Sequence, residues 1–314
     1  MSTHESHTQP ITCCSAGRGW LWWVEAFRML KEAFGAWYLI GLGYLAILIV
    51  MQILVIALMA AGVWLGVIGN LLVYAIMPCL IVGFVAAGWT QVRGGKPKFS
   101  HLFSGFTADV KTLMGVGVAT AALIGFSVLI SFFFLGSDFL AEIKNFAQVT
   151  PATADDPATA AAAQAFLNLL TSPRLWLAMF VFAILLTLAL MAVWLAPMVV
   201  AFQRTGVIAA IRSSFMGSLI NWRALSIWFL VPMVGSFAIG IVLSVLIMVP
   251  MLILLAIGGE SAMAAMPFLI WGVELLTMPI FLSLTILTAF VAYCDIFHAK
   301  DAVFPRPAKA PKAP

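Results

Sequence analysis

Six apolar stretches decide what this chain can fold into. They run Trp37–Ala61, Val63–Ala87, Leu113–Leu135, Leu175–Phe202, Leu225–Ile257 and Met263–Ala292. Each exceeds the roughly 20 residues that a helix needs to cross the hydrocarbon of a bilayer. The last two are longer than a span requires, which predicts tilt, kinks at Pro232, Pro250 and Pro279, or extension into the interface. The chain is 64% hydrophobic and only 9% charged, against about 25% charged residues in soluble domains. Too few polar side chains remain to cover a surface in water. The fold expected is all-α: a polytopic integral membrane protein with six transmembrane helices.

The connecting segments then sort by charge. Arg18, Arg28 and Lys31 precede the first span; Arg93, Lys96, Lys98 and Lys111 join the second to the third. Arg204, Arg212 and Arg223 join the fourth to the fifth, and Lys300, Arg306, Lys309 and Lys312 follow the sixth. Fourteen of the 16 basic residues thus fall on one side, leaving Lys144 and Arg174 on the other beside Asp138, Glu142, Asp155, Asp156 and Glu260. Positive residues stay inside, so both termini are expected in the cytoplasm. An odd number of spans would destroy this alternation.

Residues 1–17 are polar and carry no short apolar core of a signal peptide, so they read as a disordered tail. Cys13 and Cys14 are neighbours rather than a C-x-x-C pair, and Cys79 and Cys294 stand alone. Neither zinc nor iron–sulfur spacing occurs, and cytoplasmic thiols are the natural reading. The Pro- and Lys-rich residues 299–314 read as a second disordered tail. Between the tails, 18–298 forms one transmembrane domain, with an outer loop at 136–173 that is too small for a catalytic domain.

Three stretches on the basic side are amphipathic. In "GWLWWVEAFRMLKEAFGAW", Trp20, Trp23, Val24, Phe27, Leu30 and Phe34 recur at three- and four-residue spacing. This is the pattern of a helix lying in the headgroup region. Trp20, Trp22, Trp23, Phe27, Arg28 and Lys31 are the residues expected to meet the membrane interface. "FSHLFSGFTADVKTL" and "VIAAIRSSFMGSLINWRAL" repeat the pattern, giving three cytoplasmic interfacial amphipathic helices. Each leads into an outgoing span through an apolar step: Leu30/Phe34/Trp37, Phe106/Val110/Leu113 and Phe215/Leu219/Trp222. This periodicity fits a threefold unit of interfacial helix then hairpin, and equally three unrelated amphipathic helices that each precede a span, since no shared motif lies beneath it.

Inside the spans, Gln52, Asn70 and Glu274 interrupt the apolar runs at similar distances from the outer helix ends, and Arg174 opens the fourth span from outside. A polar cluster of Glu274, Arg174, Asn70 and Gln52 has two readings. An intramembrane carboxylate marks a proton or cation pathway by default, but it can equally tie one helix to another. The chain holds no nucleophile elbow, no H-E-x-x-H and no phosphate loop, and no histidine pair at ligand spacing on a span. An enzyme is therefore not expected, nor a cofactor or metal. The basic, aromatic edge suits anionic lipid headgroups rather than nucleic acid. Two functions stay open: a non-enzymatic membrane protein working through lipids or a membrane-protein partner, and a small-solute or proton-linked carrier built around Glu274.

"GWLWWVEAFRMLKEAFGAW", "HLFSGF", "SSFMGSLINWRAL" and "VAYCDIF" together resemble an uncharacterised family of bacterial six-helix inner-membrane proteins, hypothetical transmembrane proteins with a domain of unknown function. The likeness covers the chain apart from its tails and outer loop. It implies the six-helix topology and a bacterial inner-membrane location, and it brings no activity and no catalytic residue. Where the pattern has an arginine before Asp-Ile-Phe, this chain has Cys294.

Overall fold

The computed structural model describes residues 10–148, 164, 166–168, 170–258 and 260–298. Among them are helices α1 (Arg18–Glu32), α2 (Phe34–Ala61) and α3 (Val63–Val92), followed by a 3-10 helix, η1 (Phe99–Thr107). Then come α4 (Val110–Gln148), α5 (Pro173–Val193), α6 (Ala196–Gln203), α7 (Val207–Ile220), α8 (Trp222–Gly258) and α9 (Glu260–Ile296). No strand occurs among the described residues. The protein is an all-α polytopic membrane protein: five helices are long and apolar enough to cross a membrane. A sixth is reached when Val207–Ile220 and Trp222–Gly235, bent by 84° at their junction, count as one.

Chemistry at the helix ends explains the boundaries. Gly136 takes φ 74°, a conformation open to glycine and strained for other residues, and it breaks α4 one residue beyond the expected end of the third span. Pro197 lies at the start of α6, where a missing N–H costs nothing, so the fourth apolar run is two helices rather than one. The N–H of Leu195 at that break is taken by Ser214 Oγ at 3.0 Å. Pro78 sits buried inside α3 without ending it.

Two compact units are distinguished, one made of residues up to Gly117 and from Ala192, the other Val118–Met191. In the smaller unit, Leu135 and Phe139 pack with Ala178, and Ser127 and Ser131 are buried with their hydroxyls donated to carbonyls one turn back.

The larger unit holds the main core, around Trp22, Trp37, Phe84, Leu102, Leu195, Phe290, Tyr293 and Phe297. Its interfacial elements follow one rule: η1 packs on α3 and α2, the hairpin before it; α7 packs on α6, the helix before it; and α1 packs on α9 and α8, the last hairpin of the chain. Two glycines bring η1 into backbone contact with α3. A Cβ at Gly105 would overlap Cys79 O, and one at Gly83 would overlap Leu102 O. The second amphipathic stretch is thus a tight 3-10 turn pressed on a helix, not the α-helix its spacing suggests. Outgoing helices begin at Phe34, Val110 and Trp222. The first two helices begin at the middle residue of the entry step, whereas the third begins at its last residue, Trp222, because Asn221 ends α7.

Candidate functional site

At the end of the larger unit that carries the interfacial elements, Arg18, Trp22, Glu25 and Asp295 form a polar knot. Arg18 opens α1, Trp22 lies one turn on, and Asp295 is in the last turn of α9. Asp295 Oδ2 accepts from Arg18 Nε at 2.7 Å, from Arg18 Nη2, and from Trp22 Nε1 at 2.8 Å. Glu25 Oε1 accepts from the same Arg18 Nη2 at 3.0 Å. Burial alone would lower the pKa of Arg18, but the hydrogen bonds and charge of Asp295, with help from Glu25, outweigh it and raise it. The knot rests on indoles: Trp22 against Trp194, Trp194 against Trp228, and Trp228 stacked on Trp23. Trp23 Nε1 donates to Trp228 O and Trp228 Nε1 to Thr288 Oγ1, each at 2.9 Å, so the indole N–H groups of Trp22, Trp23 and Trp228 are all matched.

Beside the knot lies residues 10–17, expected as part of a free tail but held down as a strap. Thr12 N donates to Ile296 O at 2.8 Å, and the Thr12 hydroxyl meets His298 Nε2. Asn221, buried at the α7–α8 bend, accepts from Cys14 N at 2.6 Å and donates to Thr12 O at 2.8 Å. One side-chain amide thus pairs with the strap as a neighbouring strand would, while also donating to Gly217 O at 2.9 Å.

Helix α1 has three faces. Trp22, Trp23, Ala26 and Leu30 face the bundle and are buried; Trp20 and Phe27 form an exposed apolar stripe flanked by Lys31; Arg28 and Glu32 lie exposed on the remaining side. Trp22 (0% exposed) and Trp23 (8%) are therefore core residues and not interface contacts, whereas Trp20 (55%) and Phe27 (56%) are available to lipid. The sequence stripe mixed two adjacent apolar faces, one buried on the protein and one exposed. Exposed aromatics continue at Phe99, Phe103 and Phe106 on η1 and at Trp222. Arg93 lies over the Trp89 ring at 4.4 Å and Arg223 over Trp222 at 5.5 Å, the range of cation–π contact.

The intramembrane polar residues are not gathered in the larger unit. Asn70 Nδ2 turns back to Gly66 O on its own helix at 3.1 Å, and the side chains of Gln52 and Glu274 are exposed. Among the described residues no hydrogen bond joins these three. Depth explains part of this. Ser283 Oγ donates to Trp37 O at 2.9 Å and Gly41 abuts Pro279, which fixes α2 antiparallel to α9 and puts Glu274 level with Ala46. Gln52 lies six residues further out, about 9 Å at 1.5 Å per residue. Counting from the ends of the apolar runs hid this offset, because α9 starts at Glu260, three residues before Met263 opens the run. Arg174 belongs to the smaller unit, where its Nη1 would stand 3.4 Å from a Cβ at Gly136. No group of three or more His, Cys, Asp or Glu suited to a metal ion occurs among the described residues.

No family model, no curated protein and no solved structure matches the chain. The geometry alone carries the functional reading.

Proposed function

We propose that this is a non-enzymatic protein of the bacterial inner membrane, with both termini in the cytoplasm, that works by engaging anionic lipid headgroups at its basic edge. The three-faced helix α1 carries this reading. Its exposed stripe of Trp20 and Phe27 lies between a face locked to the bundle and a polar face bearing Arg28, with Lys31 alongside. A helix with this division buries its apolar side to the headgroup boundary and gains further binding from cations near anionic lipid. The cation–aromatic pairs at Arg93–Trp89 and Arg223–Trp222 extend the same chemistry to two other elements of that edge. The resemblance to bacterial six-helix inner-membrane proteins supports the location, and the charge bias supports the orientation.

The test is lipid retention. The protein is extracted into nanodiscs containing equal phosphatidylglycerol and phosphatidylcholine, and the lipids that stay bound are identified by native mass spectrometry. Selective retention of phosphatidylglycerol, lost when Arg28, Lys31, Lys96 and Lys98 are all changed to glutamine, is the expected result. Equal retention of both lipids by the native chain would overturn the reading. A stoichiometric protein travelling with the native chain would replace lipid with a protein partner.

A further inference from the structure

We propose that Cys13 and Cys14 form a redox-active dithiol that sets whether the N-terminal strap is attached to the α7–α8 bend. The two side chains are adjacent in sequence, neither is in a disulfide, and Cys13 is exposed to reagents. Cys13 Sγ sits 4.0 Å from Ile220 O, over the last turn of α7. Cys14 is half-buried against the main core, and its backbone N–H is the donor in the 2.6 Å bond to Asn221 Oδ1. The reactive pair and the latch therefore share one peptide unit, the one between residues 13 and 14.

A small-molecule disulfide of the glutathione class is the oxidant. One cysteine thiolate attacks it, its S–S bond breaks, and one small thiol leaves with a proton. The neighbouring thiolate then attacks the mixed disulfide at the protein sulfur, forming the Cys13–Cys14 bond and releasing the second small thiol. Two protein thiols are oxidised and one disulfide is reduced to two thiols. Adjacent Cα atoms lie about 3.8 Å apart across a trans peptide, below the roughly 4.4–6.8 Å that a disulfide favours. The peptide fixes that spacing, so the ring closes by turning the two Cα–Cβ bonds toward each other through ψ of Cys13 and φ of Cys14, which rotates the 13–14 peptide between them. That rotation turns the Cys14 N–H away from Asn221 and loosens Thr12 O, the other half of the same amide pairing. Strained, exposed disulfides of this kind are the readily reversed ones, so a reducing cytoplasm restores the latch.

The experiment uses the full chain in nanodiscs, treated with glutathione disulfide and then with reduced glutathione. Peptide mass spectrometry reads ring closure as the loss of two hydrogens, and hydrogen exchange reads the strap. The expected result is closure between Cys13 and Cys14, with exchange at residues 12–14 faster by about tenfold and restored on reduction. Cys13→Ser abolishes both effects while keeping the Cys14 N–H bond, so its strap exchanges as slowly as that of the untreated chain. Asn221→Ala gives fast strap exchange without oxidant. Glutathione adducts that never resolve to the ring would overturn the proposal. So would a closed ring with unchanged exchange, or oxidant-accelerated exchange that persists in Cys13→Ser.

Discussion

Arg18 Nε donates to Asp295 Oδ2 across 2.7 Å of space and 277 positions of sequence. The first helix of the chain is thereby fastened to the end of the last. Asp295 is shared: the carboxylate that holds the guanidinium also accepts from Trp22 Nε1 at 2.8 Å, so the ion pair and the indole are one unit rather than two contacts.

Because the unit is shared, its members are expected to be non-additive. Arg18→Ala and Asp295→Asn should each destabilise by about 2 kcal/mol, the scale of a hydrogen bond to a charged group. The double substitution should cost clearly less than the sum. Thermal unfolding in nanodiscs at fixed lipid composition measures this; strict additivity would mean that the pair is not coupled.

Glycine positions separate sharply by what surrounds them. A Cβ at Gly105 or Gly83 meets backbone atoms that cannot move aside, whereas one at Gly35 meets nothing within 4 Å. Gly105→Ala should therefore lower stability by about 3 kcal/mol or prevent η1 from seating on α3. Gly35→Ala, inside helix α2, should raise stability by about 0.5–1 kcal/mol. Expression level and melting temperature of the two alanine variants, compared side by side, decide it.

Asn221 supplies three hydrogen bonds from one buried amide. Asn221→Asp keeps the acceptor for Cys14 N but loses the donor to Thr12 O and Gly217 O, and it places a charge where 1% is exposed. A loss of about 3 kcal/mol or more is expected, with Asn221→Ala milder. A smaller loss in the aspartate variant than in the alanine variant would show that the acceptor role dominates.

Glu274 stands exposed on α9 among exposed Trp271, Leu275 and Leu276. A lipid-facing carboxylate gains nothing from the fold and is costly to keep in hydrocarbon. Glu274→Leu should consequently leave membrane abundance and melting temperature unchanged or raised. A drop in either would reveal a contact that holds the bundle together through this residue.

The spans were readable because a run of apolar residues has one physical outcome in a bilayer, and α2 and α3 begin and end within a few residues of those runs. Packing within the interface was not. Trp20 and Phe27 lie beside Trp22, Ala26 and Leu30 around α1, and a helix at a membrane surface has two apolar sides. Periodicity detects the apolar arc but cannot divide it between lipid and protein. Nor could Arg18 and Asp295 be paired from sequence, since no local spacing connects residues that far apart. Asp295 did leave a trace, as an acidic residue closing an apolar helix on the basic side. The register between α2 and α9 likewise depends on Gly41 meeting Pro279, a close approach that no pattern within either helix announces. That register separates Glu274 from Gln52.

The attachment of α1 to the last hairpin also bears on how the chain is made. Helix α1 leaves the ribosome before the helices it packs on, and Asp295 is added 277 residues after Arg18. At about 5–20 residues per second, that delay is on the order of tens of seconds. For most of it, Trp22 and Trp23 have no α8 or α9 to pack on. On the proposed lipid reading, the exposed Trp20 and Phe27 rest the waiting helix on the bilayer surface until its partners are synthesised.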